Sequence, residues 1–284
     1  MCEPCLSIEA FSFCAPVAGA DAPPRLLEGQ QVVAVHGFAS TPDATWERTG
    51  WVRQLQRAGA DIHLVTLPYH RLEEIGPEEI GLKGAGKSSG QIAVTWQQEG
   101  LVVSLGIALA QALADVDAPV HLLGYSLGAR ICWQVALSSP HLVQSLALGG
   151  LPLATHLDEV QSYLSTSSPT PGACLPEELQ AVLDTSPLPR AALAAFTAQP
   201  VEPFTPNKLP ACPALLFAGS DDTLATGLPA LAAALPHPAS TYLELAGRDH
   251  ISALTSGQAR RASADFMARH AVSRAGSEPD HTVA

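Results

Sequence analysis

Apolar residues fall in short, evenly spaced runs along the chain. Residues 31–35 (QVVAV), 61–67 (DIHLVTL), 120–125 (VHLLGY), 143–149 (VQSLALG), 214–218 (ALLFA) and 241–245 (TYLEL) are each five to seven residues long and end at glycine, proline or a polar cluster. Near-continuous runs of this length predict strands buried on both faces. Residues 7–14 (SIEAFSFC) alternate and predict a first strand. Between the runs, helical periodicity appears over 45–58 (interrupted by Gly50), 95–114, 127–137, 227–235 and 251–271. Strand and helix alternating at this spacing predict an α/β fold with a doubly wound, mostly parallel sheet.

Three stretches break the rhythm. Residues 15–24 are rich in proline, alanine and glycine and read as a loop, and 69–90 read as a long polar loop. From 152 to 213 there are eleven prolines and no strand pattern, only short amphipathic pieces at 153–164, 177–183 and 190–196. Too few large apolar residues occur there for an independent core, so the stretch predicts a helical insertion of about 152–210 within one domain spanning 1–284. The polar tail 276–284 is expected to be disordered.

Of the 284 residues 47% are hydrophobic and 15% charged, enough for a sizeable core. Fifteen basic against 27 acidic residues leave a net charge of −12, which argues against a nucleic-acid or anionic-membrane surface. The most apolar helical stretch, 101–116, is interrupted by Ser104, Gln111 and Asp115 and is too short to cross a bilayer. Cys2 and Cys5 have C-x-x-C spacing with no second pair, so no metal is expected. With no secretory leader visible, the reading is a cytoplasmic protein with reduced thiols, acting on a small molecule without a cofactor.

The chemistry gathers at the ends of the apolar runs. Gly124-Tyr125-Ser126-Leu127-Gly128 is a G-x-S-x-G pentapeptide between a predicted strand and a predicted helix. Such a turn lifts the serine hydroxyl clear of the sheet and aims the next amide, Leu127 N–H, into the same space. A serine needs a base, and His250 directly follows the last run. A carboxylate must orient that imidazole. Asp221 and Asp222 both follow the run at 214–218, and Gly219, three residues earlier, favours Asp222. The order Ser126, Asp222, His250 is neither of the two protease orders. A second oxyanion donor is expected from Phe38 N–H, where Gly37 lets the backbone come close. His70 stands in the loop beyond 61–67, where it could line the site, and His63 reads as packed within its strand.

A competing motif is present. Gly81, Gly86, Lys87 and Ser88 fit a phosphate-binding loop, G-x-x-x-x-G-K-[ST]. That loop must follow a buried strand, and what precedes it is acidic and broken by Pro77. Nucleotide binding is therefore disfavoured. A non-enzymatic binding module is also disfavoured, because it has no use for serine, acid and histidine together.

HGF at 36–38, GYSLG at 124–128, GSDD at 219–222 and GRDH at 247–250 are similar, in order, to the four signatures of the α/β-hydrolase superfamily, and the resemblance runs from about 7 to 272. It implies an eight-stranded sheet, a helical cap near 152–210 and a serine hydrolase cleaving a small carboxylic ester or thioester through an acyl-enzyme. It excludes the dehalogenase and epoxide hydrolase branches, which need an aspartate at position 126. GYSLGAR also looks like the elbow of the pyruvate-eliminating synthase of menaquinone biosynthesis, an alternative function. That likeness puts Tyr125 and Arg130 in substrate binding, with His36 beside Phe38 as a third contact. Arg130, one helical turn after Ser126, either faces a substrate carboxylate or forms an ion pair at the surface.

Overall fold

The computed structural model describes residues 5–11, 25–71, 90–116, 118–165 and 175–272. Chain order gives β1 (Cys5–Phe11), β2 (Gln31–Val35), a short π-helical turn (Asp43–Glu47), α1 (Trp51–Ala58), β3 (Asp61–Thr66), β4 (Gly90–Ala93), α2 (Leu101–Leu113), β5 (Val120–Tyr125), α3 (Leu127–Ser138) and β6 (Val143–Gly149). The insertion follows as α4 (Leu157–Ser165), α5 (Glu177–Asp184) and α6 (Arg190–Thr197). Then come β7 (Ala214–Gly219), α7 (Leu228–Ala234), β8 (Thr241–Leu245), a 3-10 turn (Ser252–Thr255) and α8 (Gly257–Arg269).

The strands form one sheet in the order β4-β1-β3-β2-β5-β6-β7-β8. From β3 to β8 every neighbouring pair is parallel, while β1 is antiparallel to both β3 and β4. Alternate residues of the central strands feed two apolar layers. Val33, Val35, Leu122, Leu146, Leu148 and Leu216 pack with α2 and α3. Val32, Ala34, Leu123, Ala147, Leu215 and Phe217 pack with α1 and α8. A sheet covered on both faces explains why its strands read as unbroken apolar runs. The insertion's Val160, Leu179, Leu193 and Phe196 join the α2/α3 layer and form no separate cluster among the described residues.

Some boundaries differ from the sequence pattern. The first strand begins at Cys5, before the predicted 7–14, and residues 12–14 and the loop read at 15–24 lie outside the described residues. Gly50, at φ 84°, divides the predicted 45–58 helix into the π-helical turn and α1. The helix expected from 95 starts at Leu101. The four-residue β4 lies at the boundary of the stretch read as a polar loop. An edge strand that short has no periodicity to betray it. The phosphate-loop motif at 81–88 and the tail 276–284 lie outside the described residues. Among the described residues no helix is long and apolar enough to cross a membrane.

Candidate active site

Ser126 is the single residue between β5 and α3, and its backbone sits at φ 54°, ψ −119°. Its N–H donates to Gly149 O at 2.9 Å, and its carbonyl accepts from Ala129 N and Arg130 N, which starts α3. The flanking glycines are required by space. A methyl on Gly128 would lie 2.0 Å from Val35 O, and one on Gly124 would lie 2.6 Å from Ala129 Cα. Helix α3 is thereby held hard against β2 and β5. Across from it, a methyl on Gly37 would fall 3.1 Å from Ser126 Cβ, so the loop after β2 passes directly over the elbow.

The loop after β7 carries the acid. Asp222 is buried, and its Oδ1 accepts Leu224 N (3.1 Å) and Ala225 N (3.0 Å). His250 Nδ1 lies 3.0 Å from Oδ1 and 2.9 Å from Oδ2. Asp221 is exposed and, among the described residues, its side chain accepts only its neighbour's hydroxyl, from Ser220 at 2.9 Å. Of the two aspartates, Asp222 is the one the structure pairs with the imidazole. With Nδ1–H donating to Asp222, the lone pair of the neutral ring sits on Nε2. Tyr125 O–H donates to His250 O at 2.6 Å, and the two rings lie 5.4 Å apart. Burial above all, then the charges of Asp222, Asp249 and Glu178, push the Tyr125 phenol well above its ordinary pKa. It is a neutral donor that pins the histidine's main chain.

Two further histidines shape the loop over the elbow. His36 donates through Nδ1 to Gly37 O (2.8 Å), and Leu67 N–H donates to its Nε2 (3.2 Å). His70 donates through Nδ1 to Pro68 O (2.7 Å), and Ala39 N–H donates to its Nε2 (3.1 Å). The rings are 5.4 Å apart and fully buried. His36 lines neither cavity at the elbow, and both its nitrogens are used, so its place is behind the loop and away from substrate. Phe196 of α6 stacks on Phe38 at 5.9 Å and meets the His70 ring edge-on at 4.7 Å.

Burial lowers His36 to about 3, with the neighbouring His70 adding to the effect, and lowers His70 to about 4. His121 in β5 is likewise lowered by burial to about 4. Each folded-state value lies below the unfolded value of 6.5, so the unfolded chain binds more protons as pH falls through that window. Stability is complete above about pH 6.5 and is lost as pH drops towards 4. At pH 5 the expected loss is about 2 kcal/mol per histidine. Urea midpoints measured at pH 7 and pH 5 check this. Equal midpoints would mean that the folded protein protonates these rings freely.

Two cavities meet at the elbow. The larger, about 230 Å³, is lined by Phe38, Ser126 and His250 on one side and by Leu179, Val182 and Pro187 of the insertion on the other. Among the described residues no Asp, Glu, Lys or Arg lines it. The smaller, about 60 Å³, shares Phe38, Ser126 and Leu179 and adds Leu127, Arg130 and His156. Arg130 forms no surface ion pair among the described residues, and it lines the smaller cavity beside Ser126. It is buried, donates through Nη2 to Glu202 O at 2.9 Å and lies 5.6 Å over the Phe204 ring. Burial lowers its pKa while the Glu202 charge raises it. Tyr125 does line the larger cavity, with its hydroxyl committed to His250.

Sequence reasoning missed one polar group altogether, Glu178 at the start of α5. Its carboxylate reaches the loops of both Asp222 and His250. Nothing in PEEL, an acidic first turn after a proline, signals contacts 45 and 72 residues away.

Residues 31–170 match the family described as alpha/beta hydrolase fold. No curated protein sequence matches the chain significantly. Solved structures do. A hydrolase from Pseudomonas aeruginosa PA01 superposes with a TM-score of 0.61 at 17% identity, covering 92% of this chain and 94% of that one. A thermophilic esterase from Thermogutta terrifontis gives 0.57 at 16% identity, covering 94% of each chain. A monoacylglycerol lipase from Paleococcus ferrophilus gives 0.57 at 16% identity, covering 94% and 99%.

Proposed function

The chain is an α/β-hydrolase-fold protein, and we propose that it is a serine hydrolase that cleaves a small, uncharged carboxylic ester or thioester. The observation that carries this is the buried Asp222–His250 pair, which opens on the same cavity as the elbow serine. Ser126 Oγ attacks the substrate carbonyl while His250 Nε2 takes its proton. Asp222 keeps the other ring nitrogen protonated and stabilises the imidazolium. The amides of Phe38 and Leu127 receive the negative oxygen of the tetrahedral intermediate. His250 then returns the proton to the departing alcohol or thiol, which leaves Ser126 acylated. Water, deprotonated by the same nitrogen, attacks the acyl carbon and frees the acid and the serine.

The insertion acts as a cap in this reading, since it supplies one wall of the larger cavity. Among the described residues the larger cavity has no charged side chain, and Arg130, at the smaller one, already donates to Glu202 O, both of which favour an uncharged substrate over the pyruvate-eliminating alternative. Labelling with a fluorophosphonate, read by peptide mass, is expected to modify Ser126, and short p-nitrophenyl esters are expected to turn over. Labelling at another residue, or none, would count against the proposal. Pyruvate release from the cyclohexene precursor, with no ester turnover, would move the assignment to the synthase.

A further inference from the structure

Helix α5 belongs to the insertion, yet its first turn is bonded to the two loops that hold the acid and the base. Glu178 Oε2 accepts Thr223 N at 2.9 Å, Thr223 Oγ1 at 2.7 Å and Leu224 N at 3.2 Å. Its Oε1 accepts His250 N at 3.4 Å. Leu224 N is shared, because it also donates to Asp222 Oδ1 at 3.1 Å. One carboxylate therefore ties three chain segments: the insertion, the residues just after Asp222, and the backbone of His250 itself. The next residue, Leu179, is buried and lines both cavities. The helix that walls the substrate space is thus the helix that braces the acid and the base.

Resting on the serine-hydrolase reading above, we infer that Glu178 is a positioning residue that couples seating of the cap to alignment of the Asp222–His250 pair. Hydrogen bonds to an ionised acceptor are shorter and stronger than neutral ones, so the brace is stiff while Glu178 is ionised. It also brings charge. Asp222 from the β7 loop and Tyr125 from β5 face the imidazole of His250, Glu178 from α5 reaches the main-chain N–H of the same residue, and Asp249 stands beside it on its own loop. A carboxylate near an imidazole favours the protonated ring. Glu178 accordingly helps to hold the imidazolium that forms when Ser126 gives up its proton. Without α5 in place, Thr223 N and Thr223 Oγ1 lose this acceptor, and among the described residues Leu224 N is left with Asp222 alone and His250 keeps only the Tyr125 bond to its main chain. The base is aligned only when the cavity is walled, which favours transfer to a substrate already enclosed.

The test uses the full chain and p-nitrophenyl butyrate. Glu178→Gln, which keeps shape and removes charge, is expected to lower kcat ten- to a hundredfold with KM changed less than threefold. The acid limb of the kcat/KM profile is expected to move to lower pH, because the ring loses a neighbouring negative charge. Wild-type kcat with an unmoved acid limb would overturn the inference. So would a raised KM with an unmoved limb, which is the mark of a residue that only shapes the cavity. Glu178→Asp, which retains the charge, is expected to recover the wild-type acid limb and provides the check should the Gln variant fold poorly. A parallel Ser126→Ala variant separates the two ideas. If that variant still turns over the ester, the serine-hydrolase reading fails. If it does not, and Glu178→Gln behaves as wild type, only the brace fails.

Discussion

Ser126→Ala is expected to lower kcat/KM on short esters by about 10⁴-fold or more and to abolish fluorophosphonate labelling, with thermal unfolding unchanged. Under the proposed mechanism the substitution removes the nucleophile, and only oxyanion binding and background hydrolysis remain. A second substitution at the same position tells more. Ser126 sits at φ 54°, ψ −119°, a conformation that side chains bearing a Cβ rarely adopt. Strain of this kind costs about 1–3 kcal/mol. Alanine keeps the Cβ and hence the strain. Glycine relieves it, offset by about 0.5–1 kcal/mol for the freer unfolded chain. Ser126→Gly is therefore expected to be as inactive as Ser126→Ala and yet to melt higher, by roughly 2 °C for a net gain of about 1 kcal/mol. Equal melting temperatures for the two variants would mean that the elbow is not strained.

Gly128→Ala is expected to be the most damaging single-methyl change in the elbow. The added carbon would stand 2.0 Å from Val35 O and 2.5 Å from His36 O, both backbone atoms of β2 and its exit. Neither can rotate aside as a side chain can. Helix α3 must lift from the sheet, and the contact between the Gly37–Phe38 loop and Ser126 opens with it. Overpacking in a tight core costs about 1–3 kcal/mol, and more where only backbone can yield, so a loss of at least about 3 kcal/mol is expected. The urea midpoint reports the stability, and the rate of fluorophosphonate labelling reports the elbow. Midpoint and labelling both like wild type would show that helix and strand are not in close contact here.

Much of this was legible before any coordinates. The central parallel strands were readable because a strand covered on both faces cannot alternate, as at 31–35 and 120–125, whereas β8 is exposed or half-buried over most of its length. Strand β4 was not readable, since four edge residues carry too little apolar surface to stand out. Asp222 could be chosen over Asp221 because a loop needs a fixed reach to return to an imidazole, and spacing encodes reach. Direction is what spacing does not encode. Arg130 lies one turn from Ser126 on the sequence, but its guanidinium turns to the carbonyl of Glu202, a partner 72 residues away. His36 was assigned to substrate from its neighbourhood in HGF, and both its nitrogens prove to be spent on backbone. Glu178 has no local signature, because its partners come together only when β7 and β8 lie side by side.

The insertion grips the catalytic floor at two points, Phe196 stacked on Phe38 and Glu178 bonded at Thr223 and His250. Under the proposed function, trimming residues 152–210 to admit bulkier esters removes both clamps along with the roof and is expected to leave a roomy but idle protein. Enlarging the bore from within is the better engineering route. Val182 and Pro187 face the larger cavity, and their side chains hold neither loop by a hydrogen bond, so shortening Val182 would make room and leave the clamps in place.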